Sequence, residues 1–292
     1  MTQPQSEAAS VGSRGAAPRW AWWLVAYVLV RFLTGLVRLP PDTAAWVVGL
    51  AHLLVSVEVL ALLIAAVTAT ARWRPHHTVW GELAVALCGA AAWLLLARAA
   101  ASLPGGHAGG MAWASLQDGA KLLAGAALGL ACSRVIKERN ILLPAALFAA
   151  FADFIVVNYG TVNIVQQTEG GRRLLESVSV SVPAVHASIA PVTIGPADVL
   201  FLAFFLRCVD RFELNLRLTV ALLCVFLVVT LLATQFLERV PALAPLGAAF
   251  LLANWRRFHL TRAEWAAFGA VAALVAAAAG AFVWYMTSGR GG

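Results

Sequence analysis

Two acidic side chains stand where so apolar a sequence can least easily keep them. Asp153 lies within Leu147-Phe-Ala-Ala-Phe-Ala-Asp153-Phe-Ile-Val-Val157, with no Lys, Arg or His within two helical turns on either side. Asp198 follows Gly195-Pro196-Ala197 at the opening of another apolar run. A carboxylate placed mid-membrane costs about 3 kcal/mol on insertion scales, so each one asks for a partner or a function. Alone, Asp198 reads as helix-start chemistry, because Pro at the first helical position loses no hydrogen bond and the helix dipole favours an acid there. Asp153 alone reads equally as a proton relay or an ion site. Together they supply chemistry that neither has singly. If their helices pack side by side, two like charges in a low-dielectric site cannot easily both ionise, and the pair shares one proton. The ionised member can then deprotonate a water that attacks a peptide carbonyl, while the protonated member donates to the carbonyl oxygen. Such a pair titrates as a unit.

The elements that must position these residues follow from composition. Of 292 residues, 61% are hydrophobic and 12% charged, and the mean hydropathy is +0.82. Soluble chains run nearer a quarter charged. A helical span needs roughly 20 mostly apolar residues, and such runs recur from Trp20 to Met286. A transmembrane barrel would show repeated alternating segments of about 10 residues, and one short alternating patch is all there is. The expectation is an all-α, polytopic helical membrane protein with nine spans, at about 20–38, 44–71, 79–100, 112–134, 141–166, 197–213, 216–237, 241–256 and 263–286. A polar tail covers 1–19, four helices fill 20–140, the segment 141–256 holds both aspartates, and 257–292 carries the last span. Two longer loops stand out, a Gly-rich one at 103–110 and a segment of about 30 residues between the fifth and sixth spans. No small-residue cleavage site follows the first apolar run, which is therefore read as an uncleaved helix.

The net charge of +7 does not point to nucleic acid, since the cations are scattered in short loops without a basic stripe or an aromatic platform. They report topology. With the N-terminus inside, cytoplasmic segments carry Arg14, Arg19, Arg72, Arg74, Arg134, Lys137, Arg139, Arg207, Arg211, Arg217, Arg256, Arg257 and Arg262, and the other side carries Arg38, Arg98, Arg172, Arg173, Arg239 and Arg290. Thirteen against six fits retention of Lys and Arg in the cytoplasm. The expected setting is a bacterial cytoplasmic membrane, with the N-terminus cytoplasmic, the C-terminus outside and the 167–195 loop outside. Cys88, Cys132, Cys208 and Cys224 lie in apolar stretches without metal-ligand spacing and read as small buried hydrophobes. No metal and no organic cofactor is implied.

Five further charges fall within spans. Asp118 and Lys121 are helix neighbours and read as a self-neutralising pair. Arg31 and Glu58, on consecutive antiparallel spans, read as a structural ion pair. Glu82, close to the inner surface, is expected to snorkel.

These features resemble the intramembrane aspartyl proteases, the family of presenilin and signal peptide peptidase. That family places one aspartate mid-helix after a Tyr, a second in a Gly-x-Gly-Asp motif opening the next helix, and a Pro-Ala-Leu motif on a later helix. Here Ala152-Asp153, Gly195-Pro196-Ala197-Asp198 and Pro241-Ala242-Leu243 occur in that order. The run from Asp153 through Gly160-Thr161-Val162-Asn163 is also similar to the stretch after the first aspartate in signal peptide peptidases. The likeness covers about 145–255. It implies a presenilin-like core, Asp153 and Asp198 as catalytic residues, and Gly195, Ala197, Pro241, Ala242 and Leu243 as substrate-binding residues. It implies hydrolysis of peptide bonds within single-span membrane proteins or remnant signal peptides. Two positions depart from the pattern: Ala152 replaces the Tyr and removes a hydroxyl, and Ala197 replaces the second Gly and limits close approach.

Ser177-Val-Ser-Val-Ser-Val182 alternates strictly, the period of a half-buried strand. A helical substrate hides its peptide bonds and must be unwound before attack, and an unwound segment in lipid needs its backbone satisfied. Adding it as a strand to an existing edge would do that, so 177–183 is expected to help hold the extended substrate. Two other readings of the aspartates stay open, a proton- or cation-coupled transporter and a catalytically inactive relative that binds membrane helices. A transporter predicts inverted repeats, and no convincing internal repeat is visible.

Overall fold

The computed structural model describes residues 19–72, 79–102, 107–158, 168–189, 191–233 and 241–288. The polar tail as far as residue 18, Arg74, Arg239 and the Gly160–Asn163 turn lie outside these residues. Among the described residues the regular structure is helical, apart from one two-stranded ribbon. Helices α1 (Arg19–Leu36), α2 (Ala45–Ala71), α3 (Val79–Ser102), α4 (His107–Ser133) and α5 (Leu142–Asn158) come first. The long loop then contributes α6 (Glu169–Val178), β1 (Val180–Val182) and β2 (Val192–Ile194). Helices α7 (Pro196–Arg211), α8 (Leu216–Ala233), α9 (Leu243–Asn254) and α10 (Arg262–Ser288) complete the order. Among the described residues, four stretches are long and apolar enough to cross a membrane: Ala45–Ala71, Val79–Ala100, Arg139–Val157 and Leu216–Ala233. The fold is thus that of a helical membrane protein. The first strand of the ribbon falls within the alternating run 177–182, and α6 is a helix the apolar pattern does not mark because no residue in it is buried. Thr168 caps α6, its hydroxyl accepting the Gly171 N–H at 3.1 Å.

The cations gather at one end. Arg207 donates to the Ala71 carbonyl at 2.9 Å, and Arg211 to the carbonyls of Ser133 and Ile136 at 3.2 and 2.8 Å. These guanidinium groups satisfy carbonyls left unpaired where α2 and α4 end. Asn140 reaches the His259 carbonyl at 3.0 Å, and Asn254 accepts the Asn215 N–H at 2.9 Å, so the adjoining ends of α5, α8, α9 and α10 lie on the same side. The loop after α1 lies instead beside the ribbon, with Leu39 N–H donating to Val185 at 2.9 Å.

Charge pairing differs from the expected pattern in two places. Arg31 does not pair with Glu58, which is exposed; it pairs with Asp118 at 2.6 Å. Counted from the α1–α2 turn, Arg31 lies about nine residues away and Glu58 about twice as far. At 1.5 Å per residue the two are separated by roughly 13 Å along the helix axes. Glu82 does not snorkel either: it is 3% exposed and takes a two-pronged contact from Arg134 at 2.6 and 2.8 Å. The Asp118–Lys121 pair is present at 3.0 Å. Of the cysteines, Cys208 is buried, Cys224 is half-buried, and Cys88 and Cys132 are exposed.

Small residues set the close helix contacts, as they do where packing must replace the hydrophobic effect. A Cβ on Gly129 of α4 would collide with the Leu200 carbonyl oxygen and come within 2.9 Å of the Ala203 Cβ, and one on Gly125 would sit 3.1 Å from Val199. α4 therefore holds the first half of α7. Likewise a Cβ on Gly247 of α9 would lie 3.1 Å from the Ala146 carbonyl oxygen of α5. Beneath these contacts Phe205 stacks on Phe250 at 4.8 Å, within a buried cluster that joins Leu142, Leu143 and Ala146 of α5 to α7 and α9.

Candidate active site

α5 runs as an apolar helix from Leu142 and brings Asp153 to its twelfth position as a partly buried carboxylate. Its Oδ2 accepts the backbone N–H of Leu243 at 2.9 Å. Leu243 is the first residue of α9, and the first N–H groups of a helix have no partner of their own. A half-buried acid and an orphan donor thus satisfy each other across 90 residues of chain.

α7 starts as its sequence dictates. Gly195 takes extended backbone angles at the cap position, Pro196 occupies the first turn, and Asp198 turns back to accept the Gly195 N–H at 2.9 Å. A Cβ on Gly195 would lie 3.2 Å from the Asp198 Oδ2, so the bare backbone suits this approach. Asp198 and Ala242, the residue before Leu243, line one cavity, so the two aspartates belong to one neighbourhood. Neither Oδ1 accepts a hydrogen bond among the described residues, and neither acid has an ion-pair partner there.

Asp198 borders a cavity of about 90 Å³ whose wall comprises Thr193 and Ile194 of β2, Leu60 and Leu63 of α2, Leu227 and Thr230 of α8, and Ala242 and Leu246 around the start of α9. Such a space has room for several waters. Asp153 is not part of that wall; its partner Leu243 directly follows Ala242, which is.

The ribbon is fixed from one side by buried charges. β1 and β2 pair antiparallel with Ser181 opposite Thr193. Arg31 donates to the Ser181 carbonyl at 3.0 Å and to its hydroxyl at 2.7 Å. Asp118 accepts the Ser181 N–H at 2.9 Å, and Lys121 donates to the Ser179 carbonyl at 2.8 Å. Arg31 and Asp118 are each 3% exposed in their side chains. In an antiparallel pair the backbone groups of successive residues point to opposite edges. The outward groups of β1 at Ser179 and Ser181 are therefore filled, Val180 and Val182 face β2, and the backbone of Thr193 faces the remaining edge. Thr193 is exposed and lines the cavity.

Of the residues expected at the site, Asp153, Asp198, Gly195, Ala242 and Leu243 come together around these two bonds and the cavity. Pro241 precedes them by one residue, and α9 begins at Leu243 and not at the proline. Ala197 is exposed and is not part of the cavity wall. The direct side-by-side packing of the two aspartate helices is corrected: α5 packs chiefly on α9, which in turn contacts α7 and α8. The expected strand is shorter than 177–183, and its edge is occupied by Arg31, Asp118 and Lys121, so the open edge belongs to β2. Thr193, Thr230 and the Arg31 anchor were not marked by the spacing of charges. The β-branched triplet Val192-Thr193-Ile194 between two prolines is the signal for β2. No family model matches the chain, and no curated protein or solved structure matches it either.

Proposed function

We propose that this chain is an intramembrane aspartyl protease with a presenilin-like core and nine spans, hydrolysing peptide bonds within single-span membrane segments. The observation that carries the reading is the hydrogen bond from the Leu243 N–H to Asp153. It joins the first aspartate to the Pro241-Ala242-Leu243 tripeptide, while the second aspartate shares a cavity wall with Ala242. Three sequence-distant features meet at one spot, with a cavity beside them.

In this mechanism the ionised carboxylate takes a proton from water through its Oδ1 as the water oxygen bonds to the peptide carbon. The protonated carboxylate gives its proton to the carbonyl oxygen. The tetrahedral intermediate then collapses, the C–N bond breaks, and the amine leaves with a proton from the pair. The Leu243 and Gly195 N–H groups hold each Oδ2, orienting the reactive oxygens and offsetting part of the cost of a carboxylate in lipid. The substrate is held extended along the free edge of β2, where Thr193 offers its N–H and carbonyl next to Asp198. The gathering of Arg207, Arg211 and the 254–262 turn at the far end supports a cytoplasmic position for that end and an outer position for the aspartates.

The test is cleavage of single-span reporter segments by the full chain reconstituted in vesicles, read by mass spectrometry of new termini. New termini inside the span are expected from wild type and not from Asp153→Asn or Asp198→Asn. Equal cleavage by all three would overturn the reading.

A further inference from the structure

The end of the molecule away from the aspartates carries a second cavity. It is open, about 270 Å³ in volume, and is walled by Leu143 of α5, Trp255, Phe258, His259 and Leu260 between α9 and α10, and Trp265 of α10. Trp255 and Trp265 are 57% and 45% exposed. An exposed indole combines an apolar body with one N–H, the character that suits the boundary between hydrocarbon and headgroups.

The chain around this cavity is basic. Lys137 and Arg139 lead into α5, Arg256 and Arg257 follow Trp255, and Arg262 opens α10; all five are exposed. None has a carboxylate within ion-pair distance among the described residues. The acid on the same turn of α10, Glu264, is engaged by the Thr261 N–H at 2.6 Å and by the Asn140 amide at 3.4 Å. Glu138 lies between Lys137 and Arg139 in sequence and offsets one of them. Beside the cavity, α10 packs chiefly on α5. Its exposed flank carries Leu274 and Trp284, at 70% and 71% exposed.

We propose that this cavity binds the headgroup of an anionic phospholipid, with its acyl chains lying along α5 and α10. Uncommitted guanidinium groups meet phosphate oxygens in pairs, the indoles cover the glycerol region, and the neighbouring helix faces are apolar enough for acyl chains. A zwitterionic headgroup would bring its own ammonium against these cations, so net negative charge is what the site selects. The inference does not depend on the proteolytic reading.

The test is native mass spectrometry of the full chain in detergent, delipidated and then titrated with phosphatidylglycerol, phosphatidylcholine or inorganic phosphate. Wild type is expected to retain one phosphatidylglycerol at least tenfold more tightly than phosphatidylcholine. Arg256→Gln with Arg257→Gln is expected to lose that preference, and equimolar inorganic phosphate is expected not to displace the lipid. Equal retention of the two lipids, unchanged retention by the double variant, or displacement by phosphate would each overturn the proposal. Should the double variant not fold, a photoreactive phosphatidylglycerol on wild type decides: crosslinks within 255–265 support the site, and crosslinks only elsewhere refute it.

Discussion

Leu243 donates its backbone N–H to the Asp153 carboxylate at 2.9 Å, so the residue that starts α9 also orients an acid in the middle of α5. A hydrogen bond to a charged acceptor contributes about 1.5–3 kcal/mol. Replacing the Leu243 amide by an ester removes the donor and keeps the side chain. Cleavage should fall about 10- to 100-fold, with the melting temperature in detergent lower by the several degrees that one such bond supplies. An ester variant as active as wild type would show that the bond has no role in the chemistry.

Gly129 positions the second aspartate indirectly. An added methyl must push away the Leu200 carbonyl and Ala203 of α7, two and five residues beyond Asp198. Overpacking of this kind costs about 1–3 kcal/mol. Gly129→Ala should therefore lower thermal stability by that amount and reduce cleavage as α7 shifts, whereas Gly109→Ala, with nothing within 4 Å of its Cβ, should do neither.

The two edges of the ribbon should respond differently to proline. Thr193→Pro removes an N–H that faces the open edge and leaves the β1–β2 ladder intact. It should abolish cleavage of a membrane-spanning substrate yet leave labelling by a small active-site ligand unchanged. Ser181→Pro removes the N–H that Asp118 accepts and should destabilise the whole protein, seen as a lower melting temperature and loss of both readouts.

Asp118 is shared by two cations, Arg31 at 2.6 Å and Lys121 at 3.0 Å. Asp118→Asn leaves both without a counter-charge and should cost about 3–5 kcal/mol. Lys121→Met leaves the Arg31–Asp118 pair in place and should cost less. Chemical denaturation of the two variants in detergent measures the difference, and equal losses would mean that Asp118 is not the centre of the cluster.

Hydropathy made the helices legible, because a backbone in lipid must satisfy its own hydrogen bonds and long apolar runs have no alternative to the helix. The Asp118–Lys121 pair was legible for a related reason, since spacing within a helix fixes proximity. Contacts between helices were not. The Arg31–Asp118 bond and the Glu82–Arg134 bond depend on how α1, α3 and α4 rotate and dock, which charge counting along the chain does not encode. The same holds for α9 standing between the aspartate helices: Gly247, which allows its approach to α5, is one glycine among 23. The alternation at Ser177–Val182 did mark β1. It could not tell which edge stays open, because that is decided by Arg31 and Lys121 from distant helices.

The central claim is that Asp153 and Asp198 form one acid–base pair. It is tested most directly by labelling the membrane-embedded chain with a photoreactive transition-state mimic of aspartyl proteolysis. Wild type should label, and both Asp153→Asn and Asp198→Asn should lose the label while remaining folded and inserted. A folded wild type that does not label, or single variants that label as wild type does, would contradict it.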